Sequence, residues 1–241
     1  MRLFRKIFKR DGIHVKKRRF RAILFVAGFL LAILSAGGTI SAQSGYISAR
    51  FEYSGYLDSF HKGLENPADI NEDYVGWISV DGTSVNYPVV RGPDNAKYLN
   101  TTFGGKRNAS GAVFMDYRCD GLLGGAVSVL YGHNMKDGSM FAGLKNYLDK
   151  DYLAEHKKIV ISKAEGGRLV YEVISAFAST ASQTSVMLAD RLNDYIKNAR
   201  HAAYAEAGNV PRFLVLSTCV GVPYSVNRII VYAVLKGTVP I

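Results

Sequence analysis

A chain of 241 residues with 48% hydrophobic and 12% aromatic side chains is long and apolar enough to fold around a core, which excludes an intrinsically disordered protein. The net charge of +10 points at first to a nucleic-acid partner, but residues 1–21 hold ten of the 30 Lys and Arg against one acid, Asp11. Residues 22–241 carry only +1, which removes the reason to expect a phosphate-backbone partner and leaves a basic N-terminal tail to be explained.

Directly after that tail, Ala22 to Ala42 runs without a charge, and the next charged residue is Arg50. A helix crossing the hydrocarbon core needs about 20 mostly apolar residues, and cations preceding it predict a cytoplasmic N-terminus. A cleaved signal peptide is the rival, because Ile40-Ser41-Ala42 has the small residues of a cleavage site, and a buried soluble helix is the third reading. The basic leader is long for a signal peptide, which favours an uncleaved single-pass anchor with everything beyond it outside the cell. The expected organisation is a basic tail over 1–21, a transmembrane anchor over 22–42, a helical region over 43–73 and one folded domain over 74–241.

From Ser44 to Leu64 the apolar residues Ile47, Phe51, Leu57, Phe60 and Leu64 recur at helical spacing, so the periodicity predicts an amphipathic helix. Asn66-Pro67 should end it, and Asn71 to Tyr74 should form a short turn. Eight β-branched or aromatic runs follow, bounded by Gly, Asn and Asp: Val75–Val80, Val85–Val90, Gly111–Tyr117, Ala126–Tyr131, Lys157–Lys163, Arg168–Phe177, Arg212–Ser217 and Arg228–Lys236. Glu165-Gly166-Gly167 predicts a hairpin between the fifth and sixth. Helical patterns fall at Ser139–Leu148 and between Val186 and Ala207, the second lying in the long connection before the seventh strand. With so many short strands the chain is mainly β, and a closed or nearly closed eight-stranded barrel avoids exposed edges.

The sharpest local feature is Phe213-Leu-Val-Leu-Ser-Thr-Cys219, an apolar strand whose end carries two hydroxyls and a thiol. If the following strand pairs with it antiparallel, Cys219 and Arg228 become neighbours across nine positions of sequence. A cation beside a thiol favours the thiolate, and a guanidinium can donate to the oxygen that turns negative when a thiolate attacks an amide. The third element is Tyr131-Gly132-His133-Asn134, just past another strand end; a Cys–His pair suffices for acyl transfer, with His133 taking and returning the proton. Singly, each residue has a plainer reading: a small core thiol, a turn histidine, an edge arginine. His14, His61, His156 and His201 lie in the tail or in polar helical and turn contexts. A disulfide between Cys119 and Cys219 is open on sequence alone, although it would consume the proposed nucleophile. No C-x-x-C or H-x-x-x-H spacing points to a metal, and this chemistry needs no cofactor.

At these residues the chain resembles the sortases, the cell-wall transpeptidases of Gram-positive bacteria, whose signature is a T-L-x-T-C strand end, an upstream histidine and an arginine on the next strand. Val215-Leu216-Ser217-Thr218-Cys219, His133 and Arg228 stand here in that order. Tyr74-Val-Gly-Trp-Ile78, Asn86-Tyr-Pro-Val-Val90, Phe114-Met-Asp-Tyr-Arg118 and Tyr131-Gly-His-Asn-Met-Lys-Asp137 are similar to class B members. The resemblance implies a sortase barrel, a sorting signal of LPXTG or NPQTN type near the C-terminus of secreted proteins, and a thioester on Cys219. It further implies resolution by an amine of the lipid-linked peptidoglycan precursor or by a pilin lysine. By position it assigns Asn95, Leu99 and Ser217 to the substrate groove. One departure stands out: many class B members place an acidic or polar residue directly after the cysteine, whereas Val220-Gly221-Val222 opens a loop without charge. A noncatalytic anchored scaffold that only binds peptides is the alternative from another functional class.

Overall fold

A computed structural model describes residues 45–119, 123–180, 212–219 and 227–239. The expected anchor over 22–42 and the expected helix before the seventh strand lie outside the described residues, and no described helix is long and apolar enough to cross a membrane.

The described chain opens with helix α1 over 45–62. Its Ala49 and Tyr53 are buried in the main core, and the Tyr53 hydroxyl donates to the Gly111 carbonyl at 2.6 Å and accepts from Phe103 N–H at 3.1 Å. Phe60 stacks on Trp77 at 4.2 Å between ring centres, which ties the far end of the helix to the first strand. The helix stops sooner than Asn66-Pro67, because Gly63 takes a φ of 61° and Leu64 N–H returns to the Ser59 carbonyl at 3.0 Å. Asn66 instead caps a new single turn, α2 (Pro67–Ile70), accepting from Ala68 N–H at 3.2 Å.

Eight strands close into a barrel in the order β1-β2-β3-β4-β7-β8-β6-β5. They are β1 (Tyr74–Val80), β2 (Asn86–Val90), β3 (Val113–Met115), β4 (Val127–Tyr131), β5 (Lys158–Lys163), β6 (Arg168–Thr180), β7 (Phe213–Cys219) and β8 (Asn227–Val239). Two pairs, β2 with β3 and β4 with β7, are parallel and the rest antiparallel, so the sheet is mixed. All eight expected strands are present, and their ends moved for local reasons. β3 keeps only three residues, because Ala112 N–H is taken by the Tyr98 carbonyl at 3.1 Å and the Asp116 carbonyl is turned to Cys119 N–H at 3.1 Å. β6 and β8 run longer than expected because they pair from Arg168↔Val239 to Thr180↔Asn227, with the register shifting at Val170/Tyr171 and at Val173/Ser175. The hairpin at Glu165-Gly166-Gly167 forms as expected: Gly166 and Gly167 have φ of 96° and 82°, and Lys163 N–H bonds the Gly167 carbonyl at 3.0 Å.

The segment expected to be helical over Ser139–Leu148 forms a 3₁₀ stretch at Ala142–Leu148. A six-residue helix α3 (Lys150–Glu155) follows, started by Asp149, whose carboxylate accepts from Asp151 and Tyr152 N–H. The core fills the barrel with Ile78, Val89, Leu130, Ile159, Leu214, Leu216, Val231 and Ala233, each fully buried. On the opposite face of the same central strands, Val129, Val215, Ile230 and Tyr232 form a second buried cluster. Burial on both faces explains why β7 begins as an unbroken apolar run rather than an alternating one.

Candidate active site

Three neighbouring elements meet at one end of β7. In the parallel pair of β4 and β7, Tyr131 stands opposite Ser217, and the contact continues one step further as Gly132 N–H donates to the Ser217 carbonyl at 3.3 Å. Parallel strands advance together, so His133 leaves β4 on the side where β7 reaches Cys219. In the antiparallel pair of β7 and β8, Cys219 is the direct partner of Arg228. The lateral order is therefore histidine, cysteine, arginine, with the cysteine in the middle. β7 extends through Thr218 and Cys219 rather than stopping at Ser217, so position 219 lies within the ladder and not beyond its end. Of Cys219 the structure describes the backbone.

Beside this meeting point lies a cleft of about 180 Å³ lined by Asn95, Leu99, Tyr131, His133, Ser217 and Arg228 among others. Five residues singled out from sequence, Asn95, Leu99, His133, Ser217 and Arg228, thus line one cleft. His133 Nε2 lies 2.7 Å from the Leu99 carbonyl. A carbonyl can only accept, so in this contact Nε2 carries the proton and Nδ1 is the nitrogen left for exchange. The segment that supplies Leu99 is itself fixed: Asp94 accepts from Ala96 and Lys97 N–H at 2.9 and 2.8 Å, which opens the 3₁₀ turn Lys97–Leu99. Gly132 is required where it stands, because a Cβ there would sit 2.7 Å from the Phe141 ring. The His133 loop closes through Phe141 N–H to the His133 carbonyl at 2.8 Å, and through Met140, whose φ of 55° is the one left-handed value outside glycine among the described residues. Arg228 donates from Nη1 to the Asn227 carbonyl at 3.1 Å.

Sequence reasoning gave no role to Asp116, which the structure places behind the cleft wall at 3% exposure. Its carboxylate accepts from Arg118 Nε and Nη2 at 2.9 and 2.6 Å, from Arg118 N–H at 2.9 Å and from the Tyr131 hydroxyl at 2.9 Å. The Asn95 side chain also favours its charged form. Burial acts to raise its pKa, but the hydrogen bonds from Arg118, Tyr131 and Asn95 together hold it well below the usual carboxylate range. Its contribution to stability is then complete above the unfolded carboxylate value of about 4 and is lost as pH falls through the lowered folded value. The signal available in sequence was an Asp and an Arg two residues apart directly after an apolar run. Cys119 carries a free, half-buried thiol, and burial pushes its pKa up.

A family model described as a sortase domain matches residues 78–236. The chain belongs to the sortase family, whose members are cysteine transpeptidases. Within that family it is sortase B-like: it is 31% identical over 166 residues to sortase B of Listeria monocytogenes, covering 65% of this chain and 66% of that one. It is 36% identical over 123 residues to sortase B of Staphylococcus aureus, covering 51% of this chain and 50% of the relative. The alignments thus span between half and two thirds of these relatives. Among solved structures, a Staphylococcus aureus sortase B–substrate complex matches at a TM-score of 0.64 and 28% identity, over 80% of this chain and 98% of that one.

Proposed function

We propose that this protein is a membrane-anchored transpeptidase that cleaves a sorting signal on secreted proteins and passes the acyl group to an amine. Cys219 is the nucleophile, His133 the proton carrier and Arg228 the oxyanion donor. Asn95, Leu99 and Ser217 contact the signal peptide. The observation that carries this reading is the lateral order of His133, Cys219 and Arg228 across β4, β7 and β8, at the edge of a cleft.

The thiolate attacks the carbonyl carbon at the signal's cleavage point, and the negative oxygen that forms accepts from the Arg228 guanidinium. The C–N bond breaks as the departing amine takes a proton from His133, leaving a thioester on Cys219. An incoming amine then attacks the thioester, gives its proton to His133 and expels the thiolate. With Nε2 held by the Leu99 carbonyl, His133 Nδ1 is the atom that moves the proton. Resemblance to sortases favours a signal of LPXTG or NPQTN type, and an amine from the peptidoglycan precursor as the acceptor. The charge-free segment 22–42 behind a basic tail supports a single-pass anchor with the barrel outside the cell.

The test is incubation of the full chain in detergent with a peptide library and two amine classes, a cell-wall-type peptide and a lysine-bearing pilin peptide, followed by mass spectrometry. Cleaved signal joined to the cell-wall amine is expected, with Cys219→Ala giving no product. Joining to the lysine peptide alone would make the protein a pilin polymerase. Peptide binding without any turnover would make it a scaffold.

A further inference from the structure

We infer that Asp116 is a positioning residue for peptide recognition, acting through Tyr131 and Asn95; the inference rests on the reading of the cleft as the signal-binding groove. Asp116 follows β3 directly, and its own N–H is tied to the Val129 carbonyl at 2.9 Å, so the backbone that carries it is part of the sheet. From there its carboxylate reaches two residues of the cleft wall that belong to different segments, Tyr131 at the end of β4 and Asn95 in the loop after β2. Arg118 completes the clamp through both its Nε and Nη2.

A buried carboxylate and its cation are weak as a stability device, because the loss of hydration offsets most of their attraction. What such a pair supplies is geometry. The ionised carboxylate only accepts, so the hydroxyl hydrogen of Tyr131 is committed to it and the phenol oxygen is left as an acceptor alone. Asn95 is oriented by Tyr117, whose N–H donates to its Oδ1 at 3.1 Å and so fixes which end is oxygen, and its amide end favours the charged form of the Asp116 carboxylate. An unoriented amide would present donor and acceptor interchangeably. Asp116 thereby sets the donor and acceptor pattern of a wall it does not itself line.

The experiment compares the full-length wild type with Asp116→Asn, Tyr131→Phe and the double variant. The readouts are Kd of a fluorescent sorting peptide by anisotropy, kcat and KM for its cleavage, the rate of Cys219 alkylation by iodoacetamide, and the melting temperature. Losing about two oriented hydrogen bonds raises Kd and KM about tenfold in Asp116→Asn, with kcat falling by no more than about threefold. Alkylation, which needs no peptide groove, stays within about twofold of wild type. Tyr131→Phe reproduces part of the Kd change, and the double variant is no worse than Asp116→Asn alone, because the two act in series. A wild-type Kd in Asp116→Asn, or additive effects in the double variant, overturns the inference and leaves the transpeptidase reading intact. Parallel loss of kcat, alkylation and melting temperature assigns Asp116 to the fold alone. If Asp116→Asn does not fold, an unchanged Kd in Tyr131→Phe still overturns it. A wild type that neither binds nor cleaves any signal peptide overturns both readings.

Discussion

The two ends of the barrel's central strands are built by opposite means. At the hairpin end, β5 turns into β6 through Glu165-Gly166-Gly167 and β8 finishes opposite Arg168, so the reversal is set by two left-handed glycines a few residues from the strands they join. At the cleft end, the contacts that bring the functional residues together span long stretches of chain. His133 bonds the Leu99 carbonyl across 34 positions of sequence, and Arg228 meets Cys219 from the following strand. Buried polar groups also gather there: Ser217 at 3% exposure, Thr218 at 2% and Asp116 at 3%, with the Thr218 hydroxyl one of two buried side-chain groups that find no partner among the described residues. Burying polar groups is unfavourable for a fold. At the cleft end the unpartnered Thr218 hydroxyl carries that cost where a ligand would use it, while the hairpin is shaped by backbone preference.

Substitutions at the two ends should therefore separate activity from stability. The largest expected effect is at the cleft: Arg228→Ala lowers the rate of acyl transfer by about 10²–10³, the loss typical of one oxyanion donor, while its melting temperature stays near wild type. A near-normal rate in steady-state cleavage assays would move oxyanion stabilisation to another group. A pair of glycine substitutions sharpens the contrast. Gly111 has a φ of 55°, and a Cβ there would lie 2.4 Å from the Tyr98 carbonyl oxygen and 2.8 Å from that of Leu99. Gly111→Ala must shift the backbone that holds His133, so it should cost about 2–3 kcal/mol in urea melts and lower kcat as well. Gly166 has a φ of 96° and open space around it. Gly166→Ala should cost only about 1 kcal/mol and leave kcat unaltered. Equal losses of activity from the two would erase the distinction between the ends.

The same contrast explains what was legible in the sequence. All eight strands could be read because apolar, β-branched runs between turn residues are local signals, and Gly166-Gly167 marked its hairpin directly. Strand ends were read less well, since they depend on partners: β8 continues to Val239 because β6 lies beside it, and β3 stops at Met115 because the Asp116 carbonyl turns to accept from Cys119 N–H. The 3₁₀ stretch at Ala142–Leu148 carries helical spacing without the length to propagate an α-helix. Of the cleft, His133 and Arg228 were found through motif residues, and Asn95, Leu99 and Ser217 by their position in the resemblance. Tyr131 and Asp116 were within quoted motifs yet received no role. Their meaning arises only when β3 and β4 pair and bring the Asp116 carboxylate to the Tyr131 hydroxyl, a contact that no spacing in the chain encodes.

We propose above that Cys219, between His133 and Arg228, is the nucleophile that takes up the acyl group at the cleft. It is tested most directly by mapping the adduct formed with a sorting-signal peptide that carries a thiol-reactive group at its cleavage point. A single adduct on Cys219 is expected, formed far more slowly in His133→Ala and Arg228→Ala, with the half-buried thiol of Cys119 unmodified. An adduct on Cys119, or labelling of Cys219 at the same rate with and without His133 and Arg228, would contradict it.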